Sequence, residues 1–147
     1  MATQHPLQYL GAELHKGETE TVALAEAVDN APVVCVYFSA HWCPPCKAFT
    51  PVLAAFYEEA NEDEKQVEIV FVSCDRNEAE FKSYYSEMPW LAAKFDKTQL
   101  QNIQANHIPF SGIPYLVVLN KDGTVKHTTG RADVSQKGTA AIADWKK

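Results

Sequence analysis

Residues 33–46 read Val33-Val34-Cys35-Val36-Tyr37-Phe38-Ser39-Ala40-His41-Trp42-Cys43-Pro44-Pro45-Cys46. The first six form a continuous β-branched and aromatic run, the pattern of a strand covered on both faces, as in a parallel sheet. The period then changes. From Pro44 to Ala60, Phe49, Val52, Leu53, Phe56 and Tyr57 recur at helical spacing. Pro51 lies inside that run and predicts a kink. Cys43 and Cys46 therefore sit where a buried strand turns into a helix.

Working outward, Asn61 to Gln66 is polar and reads as a loop, and Val67 to Ser73 is a second buried strand. Asn77 to Glu87 reads as a helix with Phe81, Tyr84 and Tyr85 on its inner face. Thr98 to Asn106 reads as another, with Thr98 as its N-cap. Pro114 to Leu119 is a third strand, and the turn Asn120-Lys121-Asp122-Gly123 joins it to Thr124–Thr128 as a hairpin. Asp133 to Trp145 reads as a closing helix. Before the opening motif, Glu20 to Leu24 reads as a short edge strand. Ala25 to Asn30 reads as a helical turn stopped by Asn30-Ala31-Pro32. The first twenty residues carry the least pattern and are expected to wrap the surface. This order implies an α/β fold in one domain, residues 1–147, with a central mixed β-sheet flanked by helices on both faces.

Composition narrows the function classes. The chain has 147 residues, 46% hydrophobic, with 19 acids against 13 bases and a net charge of -6. An acidic balance argues against nucleic acid or an anionic membrane surface as partner, since both are read by clustered Lys and Arg. The N-terminal residues show no basic segment followed by an apolar one, as a secretory signal requires. The longest apolar run, Ala31 to Phe38, is too short to span a bilayer. The expected setting is cytoplasmic, where thiols stay reduced and disulfide staples are rare. A monomer is the default for a small acidic domain.

Two cysteines with two residues between them, in that setting, suggest a reversible dithiol/disulfide pair and no other cofactor. A thiol attacks only as thiolate. Cys43 falls at the expected helix N-cap, where the macrodipole places partial positive charge. Pro44 and Pro45 occupy the first helical positions, which tolerate proline because their N–H groups have no intrahelical partner. Without those two donors, the N–H nearest the Cys43 sulfur is expected to be that of Cys46. Cys43 is thus read as the exposed attacking sulfur and Cys46 as the resolving one behind it. A zinc site is the main alternative for such a pair, but tetrahedral zinc needs two further ligands and no second Cys-x-x-Cys or closely spaced His pair is present. Cys35, inside an apolar strand, reads as a core residue. Cys74 reads as a core or surface thiol, with a second redox group as the alternative.

Phe38-Ser39-Ala40-His41-Trp42-Cys43-Pro44-Pro45-Cys46, with Phe49-Thr50-Pro51 after it, resembles the thioredoxin superfamily, and in particular its tryparedoxin and nucleoredoxin branch. The motif is WCPPC rather than WCGPC. Tyr37 stands where thioredoxins carry a buried Asp. Tyr84-Tyr85 and Met88-Pro89-Trp90-Leu91 resemble a stretch of tryparedoxins. The similarity covers residues 28–131. It implies a thioredoxin fold with Pro114 in cis against the cysteine pair. It also implies a backbone at Ile113 that pairs with substrate, and Trp42 shielding the sulfurs. Arg131 lies near a family arginine linked to substrate contact. With Tyr37 in place of the acid, Asp75 or water is expected to take the proton from Cys46.

One departure bears on the electron donor. Tryparedoxins follow the acid matching Asp75 with an acidic run that helps bind the basic dithiol trypanothione. Here the run is Arg76-Asn77-Glu78, and Arg76 disfavours a cationic reductant. The resemblance implies a protein-disulfide reductase that serves peroxidases and other disulfide proteins. A low-molecular-weight dithiol or a flavoprotein would regenerate it. The rival readings are a redox-dependent adaptor of nucleoredoxin type and a thiol peroxidase acting through Cys43.

Overall fold

The computed structural model describes residues 5–147. In chain order its elements are β1 (Glu13–Lys16), β2 (Glu20–Ala23), α1 (Leu24–Asp29), β3 (Val33–Ser39), α2 (Pro44–Ala60), β4 (Val67–Ser73), α3 (Glu78–Tyr85), β5 (Leu91–Ala93), α4 (Lys97–Asn106), β6 (Tyr115–Leu119), β7 (Val125–His127), α5 (Gly130–Lys137) and α6 (Ala141–Trp145). The strands form one seven-stranded sheet in the order β2-β1-β5-β4-β3-β6-β7. β3, β4 and β5 run parallel, and the remaining pairings are antiparallel.

Side-chain alternation along the two central strands feeds two cores. Cys35 and Tyr37 of β3 and Ile69 and Phe71 of β4 face α2, α3, α5 and α6. Val36 and Phe38 of β3 and Val70 and Val72 of β4 face α1, α4 and Leu10. Both strands are buried along their whole length, which explains why neither alternates apolar with polar residues. Glu68 is the one charged residue in them. Its carboxylate accepts hydrogen bonds from Tyr57 at 2.9 Å and from Lys65 at 3.0 Å, as a buried charge requires.

The mixed sheet with helices on both faces is as expected, and so are the edge strand at β2, the hairpin β6–β7 and the cis bond at Ile113–Pro114. Other readings are corrected. The N-terminal segment does not merely wrap the surface: Leu7, Leu10 and Leu14 are buried, and β1 pairs with both β2 and β5 inside the sheet. β1 buries only Leu14 among its four residues, so it carries no alternation to read. The N-cap of α4 is Asp96, whose carboxylate accepts from the backbone N–H of Thr98 and Gln99. Thr98 is the second residue of the helix. α2 runs unbroken through Pro51, and Val52, assigned to its inner face, is exposed. The closing helix is two short ones, because Gly138 takes a left-handed φ of 56° that ends α5.

Burial of acidic O–H and S–H groups has a measurable consequence. It pushes Tyr9, Tyr85 and Cys74 up to about 12, and Cys35, Tyr37 and Tyr57 higher still. Ordinary values are 9.0 for Cys and 10.0 for Tyr. Above the ordinary values the unfolded chain has released protons that the native chain still holds, so stability falls as pH rises. We expect a Tm that is held up to about pH 9 and falls steadily to about pH 12 in a calorimetric series. A Tm constant across that window would contradict it.

Candidate functional site

Sheet topology builds the site. β3 and β4 end side by side, with Ser39 opposite Ser73, and the antiparallel β6 begins with Tyr115 opposite Phe38. The residues after Ser39, after Ser73 and before Tyr115 therefore meet at one end of the sheet, as ligand sites of α/β sheets do. The Cys74 N–H donates to the Ser39 carbonyl at 2.9 Å, closing the β3–β4 end. Asp75 ties down the turn that follows β3. It is buried, accepts from the His41 N–H at 2.7 Å and from the Ser73 hydroxyl at 2.6 Å, and makes no hydrogen bond to Cys46.

Cys43 is the N-cap of α2, with extended backbone, and Pro44 and Pro45 fill the first two helical positions. Both Cys43 and Cys46 are free thiols. They pack with Ala40 in a small cluster flanked by Cys74 and Ile113. The cover makes Cys43 only 6% exposed, where the sequence suggested an open sulfur, and Cys46 is fully buried. The Cys43 side chain makes no capping hydrogen bond to the first turn of α2. Its sulfur turns toward the cis-proline loop and lies 3.9 Å from the Ile113 carbonyl.

The two sulfurs differ in environment. Burial pushes the Cys46 thiol up to about 11, and a hydrogen bond to the Cys43 sulfur adds to that. Hydrogen bonds from Ser39 and the Ala40 backbone act in the opposite direction. Cys46 is thus a protonated thiol at neutral pH, held in contact with its partner. Cys35, in the sheet core, is pushed up by burial far beyond reactivity.

A family model described as thioredoxin-like matches residues 30–125. The chain belongs to the thioredoxin-like family. Nucleoredoxin of Mus musculus is 46% identical over 99 residues, 67% of this chain but 23% of that protein, so the chain spans about a quarter of the nucleoredoxins it matches. Tryparedoxin of Trypanosoma brucei brucei is 42% identical over 113 residues, 76% of this chain and 78% of the relative. The solved tryparedoxin from Trypanosoma brucei superposes with a TM-score of 0.84 at 36% identity, covering 97% of this chain and 99% of that one. Tryparedoxin II of C. fasciculata, solved in complex with glutathionylspermidine, has a TM-score of 0.79 at 33% identity, covering 92% and 94%.

Around this thioredoxin-like site the remaining singled-out residues fall in three places. Trp42 stands at the rim, 47% exposed, its indole N–H donating to the Cys74 carbonyl at 3.2 Å. Arg76 lies 5.5 Å over its ring. Arg131, on the first turn of α5, places its guanidinium 5.9 Å from the Phe49 ring on α2. Tyr37 lies beneath the cysteines, fully buried.

Sequence reasoning missed the groups around Tyr37. Its hydroxyl lies 2.8 Å from Thr50, Thr50 lies 2.6 Å from Tyr84, and Tyr84 lies 2.7 Å from Ser39. Two local signals pointed there: Ser39 follows Tyr37 by two on one strand face, and Thr50 follows Cys46 by one helical turn. Tyr84 had none. Among the described residues, no group of three His, Cys, Asp or Glu is placed to hold a metal ion, and no helix is long and apolar enough to cross a membrane.

Proposed function

We propose that this chain is a thiol–disulfide oxidoreductase that reduces disulfides in partner proteins through Cys43 and Cys46. The observation that carries the reading is the pairing of two free sulfurs in unlike settings: one at a helix start directly after Trp42, the other fully buried in the same cluster, where burial pushes its thiol up. The Cys43 thiolate attacks one sulfur of the partner disulfide. A Cys43–partner bond forms, and the other partner sulfur leaves with the electron pair and takes a proton. Cys46 then loses its proton and attacks Cys43. The Cys43–Cys46 bond forms, the mixed disulfide breaks, and the second partner sulfur leaves as thiolate and is protonated. Two electrons pass from the dithiol to the partner, and a separate thiol reductant restores Cys43 and Cys46.

Partner docking fits the rim of Trp42 and the open backbone at Ile113, with peroxidases and other disulfide proteins as substrates. The C. fasciculata relative was solved with glutathionylspermidine, a cationic thiol compound. Here Arg76 sets a positive charge on the Trp42 ring, which favours glutathione or a flavoprotein reductase over a polyamine-conjugated thiol. The reading carries a monomer in a cytoplasmic, reducing setting.

Reduction of insulin disulfides tests it, with thioredoxin reductase and NADPH, glutathione or trypanothione as electron source. Turnover with either of the first two, and less with trypanothione, is expected. No turnover with any of them, together with partner binding that survives replacement of both cysteines, would put the adaptor reading in its place. Peroxide consumption with no partner protein would favour the peroxidase.

A further inference from the structure

Four hydroxyls form a continuous chain beneath Cys46. They belong to Tyr37 and Ser39 on β3, Thr50 on α2 and Tyr84 on α3, all buried, with oxygen separations of 2.6 to 2.8 Å. At one end stands Ser39, whose hydroxyl acts on Cys46 to hold its thiol lower than burial alone would. Thr50 meets its backbone, donating to the Cys46 carbonyl at 3.0 Å. A hydroxyl has one hydrogen and two lone pairs, so the chain admits two complete arrangements.

In the first, Ser39 donates to Tyr84, Tyr84 to Thr50, Thr50 to the Cys46 carbonyl, and Tyr37 to Thr50. Nothing then points at the sulfur, which suits a thiol. In the second, Tyr37 donates to Thr50, Thr50 to Tyr84, Tyr84 to Ser39, and Ser39 to the sulfur. Every hydroxyl keeps a partner in both. Because three donors stand in line behind Ser39, the second arrangement presents a polarised donor to a thiolate, in a place water does not reach.

We propose that this chain reverses direction when Cys46 ionises, and that it is the device that makes the buried sulfur a competent resolving nucleophile. The inference rests on the oxidoreductase reading. In this proposal Ser39 is the member that turns its hydrogen to the sulfur, and Tyr84, Thr50 and Tyr37 are positioning residues acting through it. During the second step Cys46 releases its proton, the chain turns toward the sulfur, and Cys46 attacks Cys43. The proton is taken by the departing partner thiolate. The chain is not a proton sink, since burial keeps the phenols of Tyr37 and Tyr84 protonated. The other ionisable groups facing this region are Cys43, Cys74 and Asp75, with His41 stacked on Tyr84 and Glu87 beside His41.

Single-turnover reaction of the reduced protein with one equivalent of dithio-bis-nitrobenzoate tests this. The first thionitrobenzoate released reports attack by Cys43, and the second reports resolution by Cys46. Cys46→Ser should show only the first. Tyr84→Phe and Ser39→Ala should leave the first release unchanged. They should move the pH profile of the second upward by about one unit, a roughly tenfold slower resolution at neutral pH. Tyr37→Phe, at the far end, should move it less. A loss of packing alone lowers Tm without moving that profile. Superimposable profiles for wild type and a folded Tyr84→Phe, Ser39→Ala or Tyr37→Phe would overturn the chain's role. A wild type that never gives a second release would instead overturn the oxidoreductase reading.

Discussion

Cys43→Ser is expected to lower insulin reduction by at least about a thousandfold, the scale of losing a covalent nucleophile. The sulfur sits at the N-cap of α2, where the helix contributes roughly half a positive charge and two prolines leave the first turn with few donors competing for solvent. A serine hydroxyl in the same place has no accessible anion at neutral pH, so the first step does not occur. Cys46→Ser should fail differently. Its Cys43 still attacks, but the mixed disulfide cannot resolve and accumulates as a covalent adduct visible by mass spectrometry. Equal insulin reduction by wild type and Cys43→Ser would end the reading of Cys43 as nucleophile.

Phe71→Ala is expected to destabilise the protein by about 3–5 kcal/mol, the range for truncating a buried aromatic. Phe71 lies in the middle of β4, fully buried, with its ring centroid 6.2 Å from Tyr37, 5.9 Å from Phe81, 5.6 Å from Tyr84 and 6.4 Å from Tyr85. Removing it opens a cavity between sheet and α3 that close neighbours on a rigid strand do not fill. Urea unfolding should show a lower midpoint with an unchanged slope, and Tm should fall by roughly 10–15 °C. A loss under about 1 kcal/mol would show that α3 collapses onto the sheet and closes the gap. Tyr37 and Tyr84 both lean on this ring, so the variant also tests whether the hydroxyl chain depends on the packing beneath it.

Much of this molecule is legible in short windows of sequence. β3 and β4 announce themselves because both faces are covered, which leaves an uninterrupted apolar run in each. α2 follows at helical spacing, and the turn between strand and helix carries the cysteine pair. β5 escapes the same reading, because three residues set no period. The N-cap at Asp96 lies two residues before the one expected because Asp96 and Thr98 are both good capping residues, and only the backbone chooses between them.

The site divides along the same line. Position in sequence was enough to name Cys43 and Cys46 and to put one at a helix start and the other a turn behind it, whereas Pro114 was placed beside them only by the resemblance to the thioredoxin superfamily. It could not say that Cys43 is nearly covered, because the cover comes from Ile113, seventy residues away, and from Cys74 at the end of another strand. Nor could it assemble Tyr37, Ser39, Thr50 and Tyr84, which span three elements and touch only when β3, α2 and α3 are packed. Local periodicity encodes which residues face inward. Which of those inward groups meet, and which way a shared hydrogen points, is decided by packing between segments distant in the chain.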